Sequence, residues 1–343
     1  MKDAFPIKKY STKNKTFYIH KKTKKKYNEN NQFIQKLKKT IRIPPAYKNV
    51  QISNNLNAKV LVKGEDSRGR IQYLYNPLYT SERSIEKFKE LVPFSKKIHK
   101  IRNDMMKTIQ SFSQKDIITK ELLIACCLYL IDECHFRVGN TKYLDLYEST
   151  GTTTLQSKHI HCINPSEMRI EFKGKKGVIN KSIITHKKVI LILETIKKQN
   201  KKYDFIFCYT PQDNVNQAKQ CITERTINQY LKSYHPSLTV KMYRTWTANY
   251  DFLLHLKTLL QTINIEDQKQ LKKGILETIK KIAPDYHHTA TISRKSYLHE
   301  GIITHTLKHP HTMKKLLQPI LPQKNILSVN THVMDLLLYV SNK

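Results

Sequence analysis

From Ile117 to Phe136 the chain is apolar on most faces of a helix, and Leu122 to Ile131 is unbroken by any charge. A helix without a polar stripe has to be enclosed by other elements, so the chain needs a domain built around this segment. The run falls short of the ~18 apolar residues that a membrane-spanning helix requires. It leads directly into Arg137-Val138-Gly139-Asn140. Gly139 and Asn140 suit a left-handed turn at a helix C-terminus. An arginine at the end of a buried helix needs an anionic partner, because a lone buried charge is costly. That partner is either an internal carboxylate, Asp132 or Glu133, or an anion from outside.

Charge decides what kind of anion to expect. The 343 residues carry 61 Lys+Arg against 27 Asp+Glu, a formal net charge of +34. Such an excess repels itself unless a polyanion is present. Nucleic acid is the first partner to consider and a charged membrane surface the second. The opening Met1-Lys2-Asp3-Ala4-Phe5-Pro6 lacks the apolar core of a signal peptide. The six cysteines (126, 127, 134, 162, 208, 221) show neither CxxC nor paired histidine spacing. They are expected to be small buried thiols in a reducing intracellular compartment, with no disulfide and no structural metal.

The fold class expected is α+β: a small β-rich domain over residues 1–84 and a larger, mainly helical one over 85–343. Residues 1 to about 40 are basic, with Lys21-Lys22 and Lys24-Lys25-Lys26, and read as a solvated arm or a holder of phosphates. Short strands are predicted at Val50–Ser53 and Lys59–Lys63, and Ile71–Tyr75 alternates as a strand does. Arg68, Arg70, Gln72, Tyr73 and Tyr75 fall around this last strand. They offer a surface for a DNA groove: Arg for phosphate or guanine, Gln for adenine, Tyr for phosphate or sugar. The alternative is that half of them simply face solvent. Asn76–Arg83 shows no strong periodicity. From Ser84 helical spacing carries Ile85, Phe88, Leu91 and Val92, followed by Ile98, Ile101, Met105 and Ile109. A β region is predicted at Thr152–Leu155, Ile160–Ile163, Met168–Phe172 and Val178–Ile184, with Gly174-Lys175-Lys176-Gly177 as a hairpin tip. Helices resume at His186–Gln199, Thr223–Tyr234, after Lys241, and at Gln268–Ile282, with Trp246 in the core. Met313–Ile320 and Val333–Val340 close the domain.

Chemistry concentrates in His288-Thr289-Ala290-Thr291-Ile292-Ser293-Arg294-Lys295-Ser296-Tyr297. Tyrosine is a poor nucleophile at neutral pH, with a pKa of about 10, unless fixed cations surround it. Arg137, Lys175 and Arg244 stand in contexts that look built to hold them. With His288 and Tyr297 they read as a site for phosphoryl transfer through a covalent tyrosine intermediate. In-line transfer builds negative charge on the nonbridging and leaving oxygens, where fixed donors act best. Two guanidiniums and an imidazole suit the nonbridging oxygens. A lysine among cations can protonate the leaving alkoxide. The competing reading makes Tyr297 an amphipathic helix tyrosine, His288 a surface histidine and Lys175 a solubilising lysine.

These pieces together resemble the type IB DNA topoisomerases of the short form found in poxviruses, other large DNA viruses and some bacteria. The resemblance rests on Ile43-Pro44-Pro45-Ala46-Tyr47, Gly64 through Tyr73, Arg137-Val138-Gly139-Asn140 with Lys142-Tyr143-Leu144, Phe172-Lys173-Gly174-Lys175, Arg244-Thr245 with Asn249-Tyr250, and His288 through Tyr297. It implies a C-shaped clamp on double-stranded DNA, formed by a monomer. Tyr297 is implied as nucleophile, giving a 3′-phosphotyrosyl bond and a free 5′-hydroxyl. Arg137, Arg244 and His288 are implied as phosphate ligands and Lys175 as general acid. Gln72, Tyr73, Tyr75, Tyr143 and Lys241 fall among the implied DNA contacts. Supercoils of both signs would relax by strand swivelling without ATP, metal or other cofactor; no P-loop and no acidic cluster is present in the sequence. A viral member would act at a cytoplasmic replication site or from within the virion.

The chain departs from the poxvirus pattern in three places, the first being its N-terminal 40 residues, which match poorly. Its helix-end motif is closer to the bacterial type, and Lys176 follows Lys175 where poxvirus members carry Asp, so Lys173 and Lys176 compete for the acid's role. A tyrosine recombinase is the alternative enzyme, but recombinases usually carry His where this chain has Lys241. A non-catalytic DNA-binding protein is the other alternative.

Overall fold

The structure is a computed structural model that describes residues 4–11, 15–114, 116–201, 204–211, 219–322 and 327–341, with 84 and 85 as backbone only. It mixes helices with small antiparallel sheets, and its contacts divide it into two compact units, Met1–Lys87 and Phe88–Lys343.

The first unit is one six-stranded antiparallel sheet. Its strands are β1 (Ile7–Ser11), β2 (Thr16–His20), β3 (Lys26–Tyr27), β4 (Lys48–Ile52), β5 (Val60–Glu65) and β6 (Ile71–Tyr75), in spatial order β3-β2-β1-β4-β5-β6. Strand side chains alternate between faces. Ile7, Tyr18, Ile52 and Val62 therefore share the inner face, against Ile34 and Leu37 of α1 (Gln32–Thr40). Asn31 caps α1, its side chain accepting the Phe33 N–H at 3.0 Å. Where described, the basic N-terminal segment is thus part of the sheet and not an arm. The aperiodic stretch after residue 76 is also ordered: it opens α2 (Pro77–Lys89), with Asn76 Oδ1 accepting the Leu78 N–H at 3.0 Å. A capping residue starts this helix without an apolar stripe to announce it.

The second unit is built on α4 (Lys120–Glu133), capped by Thr119 and buried from Leu122 through Leu128. Helices α3 (Leu91–Ser111), α7 (Glu224–Lys232) and α8 (Lys241–Thr262) pack on it, and Trp246 of α8 is fully enclosed. Helix α4 ends at Glu133, short of the predicted Phe136. His135 enters the left-handed region at φ 52°, and the Phe136 N–H returns to the Leu130 carbonyl. Asn140 is extended and caps α5 (Thr141–Tyr147), so of the two predicted left-handed residues only Gly139, at φ +94°, is one.

Strands β7 (Ile160–Asn164), β8 (Glu167–Lys173) and β9 (Ile179–Ile184) make a separate antiparallel sheet. Thr152–Thr154, predicted as strand from its β-branched residues, is a 3₁₀ turn. The other elements are α6 (Lys187–Lys198), β10 (Cys208–Tyr209), β11 (Gln220–Cys221), α9 (Gln268–Ile282), α10 (Ala290–Ser296), α11 (Glu300–Lys308), α12 (Pro310–Leu316) and α13 (Leu327–Ser341).

The cysteine expectation needs correction. Cys208 and Cys221 stand directly opposite on β10 and β11, with Cα atoms 3.9 Å apart, and form a disulfide. Their 13-residue separation hid the pairing. Cys162 is exposed. Cys126, Cys127 and Cys134 are buried as expected, and burial pushes the Cys126 and Cys134 thiols up to about 12. Cysteine usage therefore no longer argues for a reducing compartment.

Candidate active site

Of the two internal carboxylates offered for Arg137, Asp132 is occupied by another arginine. Asp132 accepts two hydrogen bonds from Arg102 of α3, at 2.7 and 2.9 Å, in a fully buried pair. Among the described residues, neither Arg137 nor Arg244 forms an ion pair with a carboxylate. Arg137 instead donates from Nη2 toward the Tyr297 hydroxyl at 3.4 Å, across 160 residues of sequence.

The loop that carries Arg137 is held by the Thr152–Thr154 turn. The Thr152 N–H donates to the Arg137 carbonyl at 2.8 Å, and the Thr153 N–H and hydroxyl donate to the Val138 carbonyl at 2.6 and 2.8 Å. Two glycines cross beneath it. A Cβ on Gly151 would lie 2.4 Å from Gly139 Cα and 2.7 Å from the Arg137 carbonyl oxygen. The obstacle is backbone, so Gly151→Ala has to displace the arginine loop. The expected result is a stability loss of roughly 1–3 kcal/mol and a reaction at the Arg137 site slower by up to about 100-fold, the scale of a 1 Å misplacement. Thermal unfolding and single-turnover kinetics measure the two effects. An unchanged rate would show that the crossing does not position Arg137.

Arg244 sits in the first turn of α8 and is almost fully buried. Nη1 donates to the His135 carbonyl and Nη2 to the Tyr286 carbonyl at 2.6 Å, while Nε has no partner. The left-handed His135, stacked on Tyr286 at 4.1 Å, thus aims its carbonyl at the guanidinium. Two neutral carbonyls orient this charge without neutralising it.

Tyr297 lies just beyond α10, half-buried, with Arg244 5.2 Å from its ring centre. Burial pushes its hydroxyl up, but the Arg244 and Arg137 charges outweigh burial and bring it below the ordinary tyrosine value. Asn249 of α8 fixes its backbone. The Asn249 amide donates to the Tyr297 carbonyl at 2.8 Å, and its Oδ1 accepts the His299 N–H at 2.9 Å. Sequence reasoning gave Asn249 no role; a buried asparagine inside a helix was the available signal.

His288 stacks on Tyr297 at 4.9 Å and 8°, with Tyr286 5.9 Å away. Both ring nitrogens are buried without a partner. Burial, then the charges of Arg244 and Arg137, push its imidazole down to about 4. The ring is therefore neutral at pH 7 and retains one N–H to donate. A base whose folded-state value lies below the unfolded ~6.5 takes up its proton first in the unfolded chain. His288 thus contributes stability above the unfolded value, and loses it as pH falls from there toward about 4. NMR titration of the imidazole is expected to show a neutral ring well below pH 6.5. A midpoint at the ordinary value would contradict the geometry.

Lys175 lies in the turn between β8 and β9 and is exposed. Its ammonium is pushed down, by desolvation first and by the Arg137 charge second, and Tyr297 and Arg244 are within electrostatic reach. Lys173 is tied to Glu148 at 2.6 Å, and Lys176 occupies the left-handed region at φ 63°.

The DNA contacts predicted around β6 divide between its two faces. Tyr73 and Tyr75 are exposed on one face of β6. Arg70 and Gln72 donate to Asp66 at 2.8 and 3.0 Å on the other, and the Arg68 N–H joins the same carboxylate at 3.0 Å. Tyr143 is exposed on α5 and stacks on Tyr147 at 6.2 Å. Lys241 opens α8 and pairs with Glu224 at 3.1 Å.

Residues 76–321 match the family model described as the catalytic core of eukaryotic DNA topoisomerase I. The chain is 30% identical over 259 residues to a DNA topoisomerase 1B of Acanthamoeba polyphaga mimivirus, covering 75% of each chain. It is 28% identical over 249 residues to the DNA topoisomerase 1B of vaccinia virus (strain Copenhagen), covering 71% of this chain and 72% of that one. Over 249 residues it is 27% identical to the DNA topoisomerase I of monkeypox virus, again covering 71% and 72%. No helix among the described residues is long and apolar enough to cross a membrane.

Proposed function

The chain belongs to the DNA topoisomerase I family as a type IB enzyme of the poxvirus-like kind, and from that membership we propose how its residues divide the work. Tyr297 is the nucleophile. Its oxygen attacks a backbone phosphorus in line, the bond from phosphorus to the 5′ oxygen breaks, and the tyrosyl proton leaves to solvent. Arg137 and Arg244 hold the nonbridging oxygens and lower the charge cost of the transition state. His288 donates its one N–H to the same phosphate. Lys175 protonates the departing 5′ oxygen. The phosphotyrosyl bond conserves the energy of the broken one, so the 5′-hydroxyl end swivels and then attacks in reverse without ATP. Residues 1–84 and 85–343 close as a C-shaped clamp on duplex DNA, and one copy suffices.

The observation that carries this reading is Tyr297 with the Arg137 guanidinium at its hydroxyl and the buried Arg244 guanidinium over its ring, neither neutralised by a carboxylate. Buried positive charge left unpaired is costly and asks for an anion. A phosphodiester supplies it at the one place where a tyrosyl oxygen waits. The polarity of the covalent bond tests the assignment. With a duplex labelled on either side of the break, the adduct is expected to retain the strand ending in the 3′-phosphate, and the released end to be a 5′-hydroxyl that a polynucleotide kinase can label. A 5′-linked adduct would overturn it.

A further inference from the structure

The two carbonyls that orient Arg244 come from strained backbone. His135 is left-handed at φ 52°, and so is His287, directly after Tyr286, at φ 53°. A residue with a Cβ stays in that region only where its surroundings hold it there. Part of the hold on His287 is its own, since its Nε2 donates to the Cys134 carbonyl at 3.0 Å. The side chains of His135 and Tyr286 share a second anchor. The Tyr286 hydroxyl donates to Asp251 Oδ2 at 2.6 Å, and His135 Nε2 lies 3.7 Å from the same oxygen. The two rings stack on each other, 4.1 Å apart and 13° from parallel. Burial, and after it the Asp251 charge, push the Tyr286 hydroxyl well above the ordinary tyrosine value, so it keeps the proton it donates. Asp251 itself belongs to α8 and follows Arg244 by two helical turns, about 10 Å along the axis.

We propose that Asp251 is a positioning residue for Arg244, acting through Tyr286 and His135, whose carbonyls it turns toward the guanidinium. The inference rests on the reading of Arg244 as a phosphate ligand and adds the residues that aim it. A carboxylate placed directly on Arg244 would orient it equally well, but it would also neutralise the charge that a phosphodiester has to meet. Set two turns away, Asp251 fixes the direction of the guanidinium and leaves its charge for the substrate. The carbonyls of His135 and Tyr286 carry the constraint across that gap without carrying the charge.

The test uses full-length Asp251→Asn and Tyr286→Phe. Each is close to the original residue in volume, and either one carries the result if the other fails to fold. At saturating enzyme, single-turnover cleavage is expected to slow by about 10–100-fold, the scale of a displacement near 1 Å. The Kd for the duplex is expected to stay at the wild-type value. In an Arg244→Gln background the same substitutions are expected to change the rate by no more than about 2-fold, because changes that act through one group do not add. Full cost in that background would show a general loss of structure and overturn the proposal, as would a rate that neither substitution alters. Protein labelled with heavy-nitrogen arginine gives an NMR reading that needs no chemistry. The Arg244 Nη–H signals, identified by their loss in Arg244→Gln, are expected to be resolved in wild type and to merge in the two variants as the guanidinium turns more freely. Signals that stay resolved in both variants overturn the proposal whatever the rate. Merged signals with no covalent adduct from wild type refute the chemistry and leave the positioning standing; an adduct from wild type with signals still resolved in the variants does the reverse.

Discussion

Replacing Tyr297 with phenylalanine is expected to lower strand cleavage by about 10⁴-fold or more while leaving duplex binding in place, because loss of a covalent nucleophile removes the reaction path itself. The substitution is clean in this setting. The ring stays stacked on His288 at 4.9 Å and beneath Arg244 at 5.2 Å, and the Asn249 bond to the residue 297 carbonyl is untouched. Only the hydroxyl goes, and with it the 3.4 Å contact from Arg137. The guanidiniums are then freer to hold phosphate, so noncovalent affinity is expected to persist. Denaturing gels for the adduct and anisotropy for binding separate the two effects. A surviving adduct would move the nucleophile elsewhere and dissolve the account of the cluster.

Lys175→Ala is expected to slow cleavage by about 10²–10⁴-fold, the scale of a lost general acid. The defect should vanish with a substrate whose leaving 5′ oxygen is replaced by sulfur, since a thiolate departs without a proton. Direction of titration adds a second signature. Desolvation and the Arg137 charge hold the Lys175 ammonium below the ordinary lysine value. An acid works only while protonated, so wild-type cleavage is expected to fall as pH rises through that lowered value, and the alanine variant to lack this limb. Failure of both signatures would hand the role to Lys173 or Lys176. The geometry argues against them: Lys173 is engaged by Glu148, and Lys176 stands in the left-handed turn.

Periodicity exposed what packing alone decides. The enclosed run of α4 and the amphipathic pattern of α9 (Gln268–Ile282) follow from burial, and the helices appear where the pattern lies. The Arg137, Arg244, His288 and Tyr297 side chains were visible as candidates through their chemistry, and the fold brings the other three to the Tyr297 side chain. What stayed hidden depended on hydrogen bonds between distant segments. Thr152–Thr154 has strand-forming residues, but its donors are taken by the Arg137 loop, which bends it into a turn. The end of α4 is set by His135, whose left-handed turn serves Arg244 rather than its own helix. The Cys208–Cys221 bond required knowing that β10 and β11 are neighbours. Arg70 and Gln72 looked like groove readers because alternation along β6 cannot reveal that Asp66 holds them.

The most direct test is relaxation of negatively and positively supercoiled plasmid in EDTA without ATP, wild type beside Tyr297→Phe. Wild type is expected to relax both substrates and the variant neither, as a metal-free tyrosine mechanism with free strand rotation requires. If both proteins bind the plasmid and neither changes its linking number, the cluster at Tyr297 is not a topoisomerase site and the assignments to Arg137, Lys175, Arg244 and His288 fall with it.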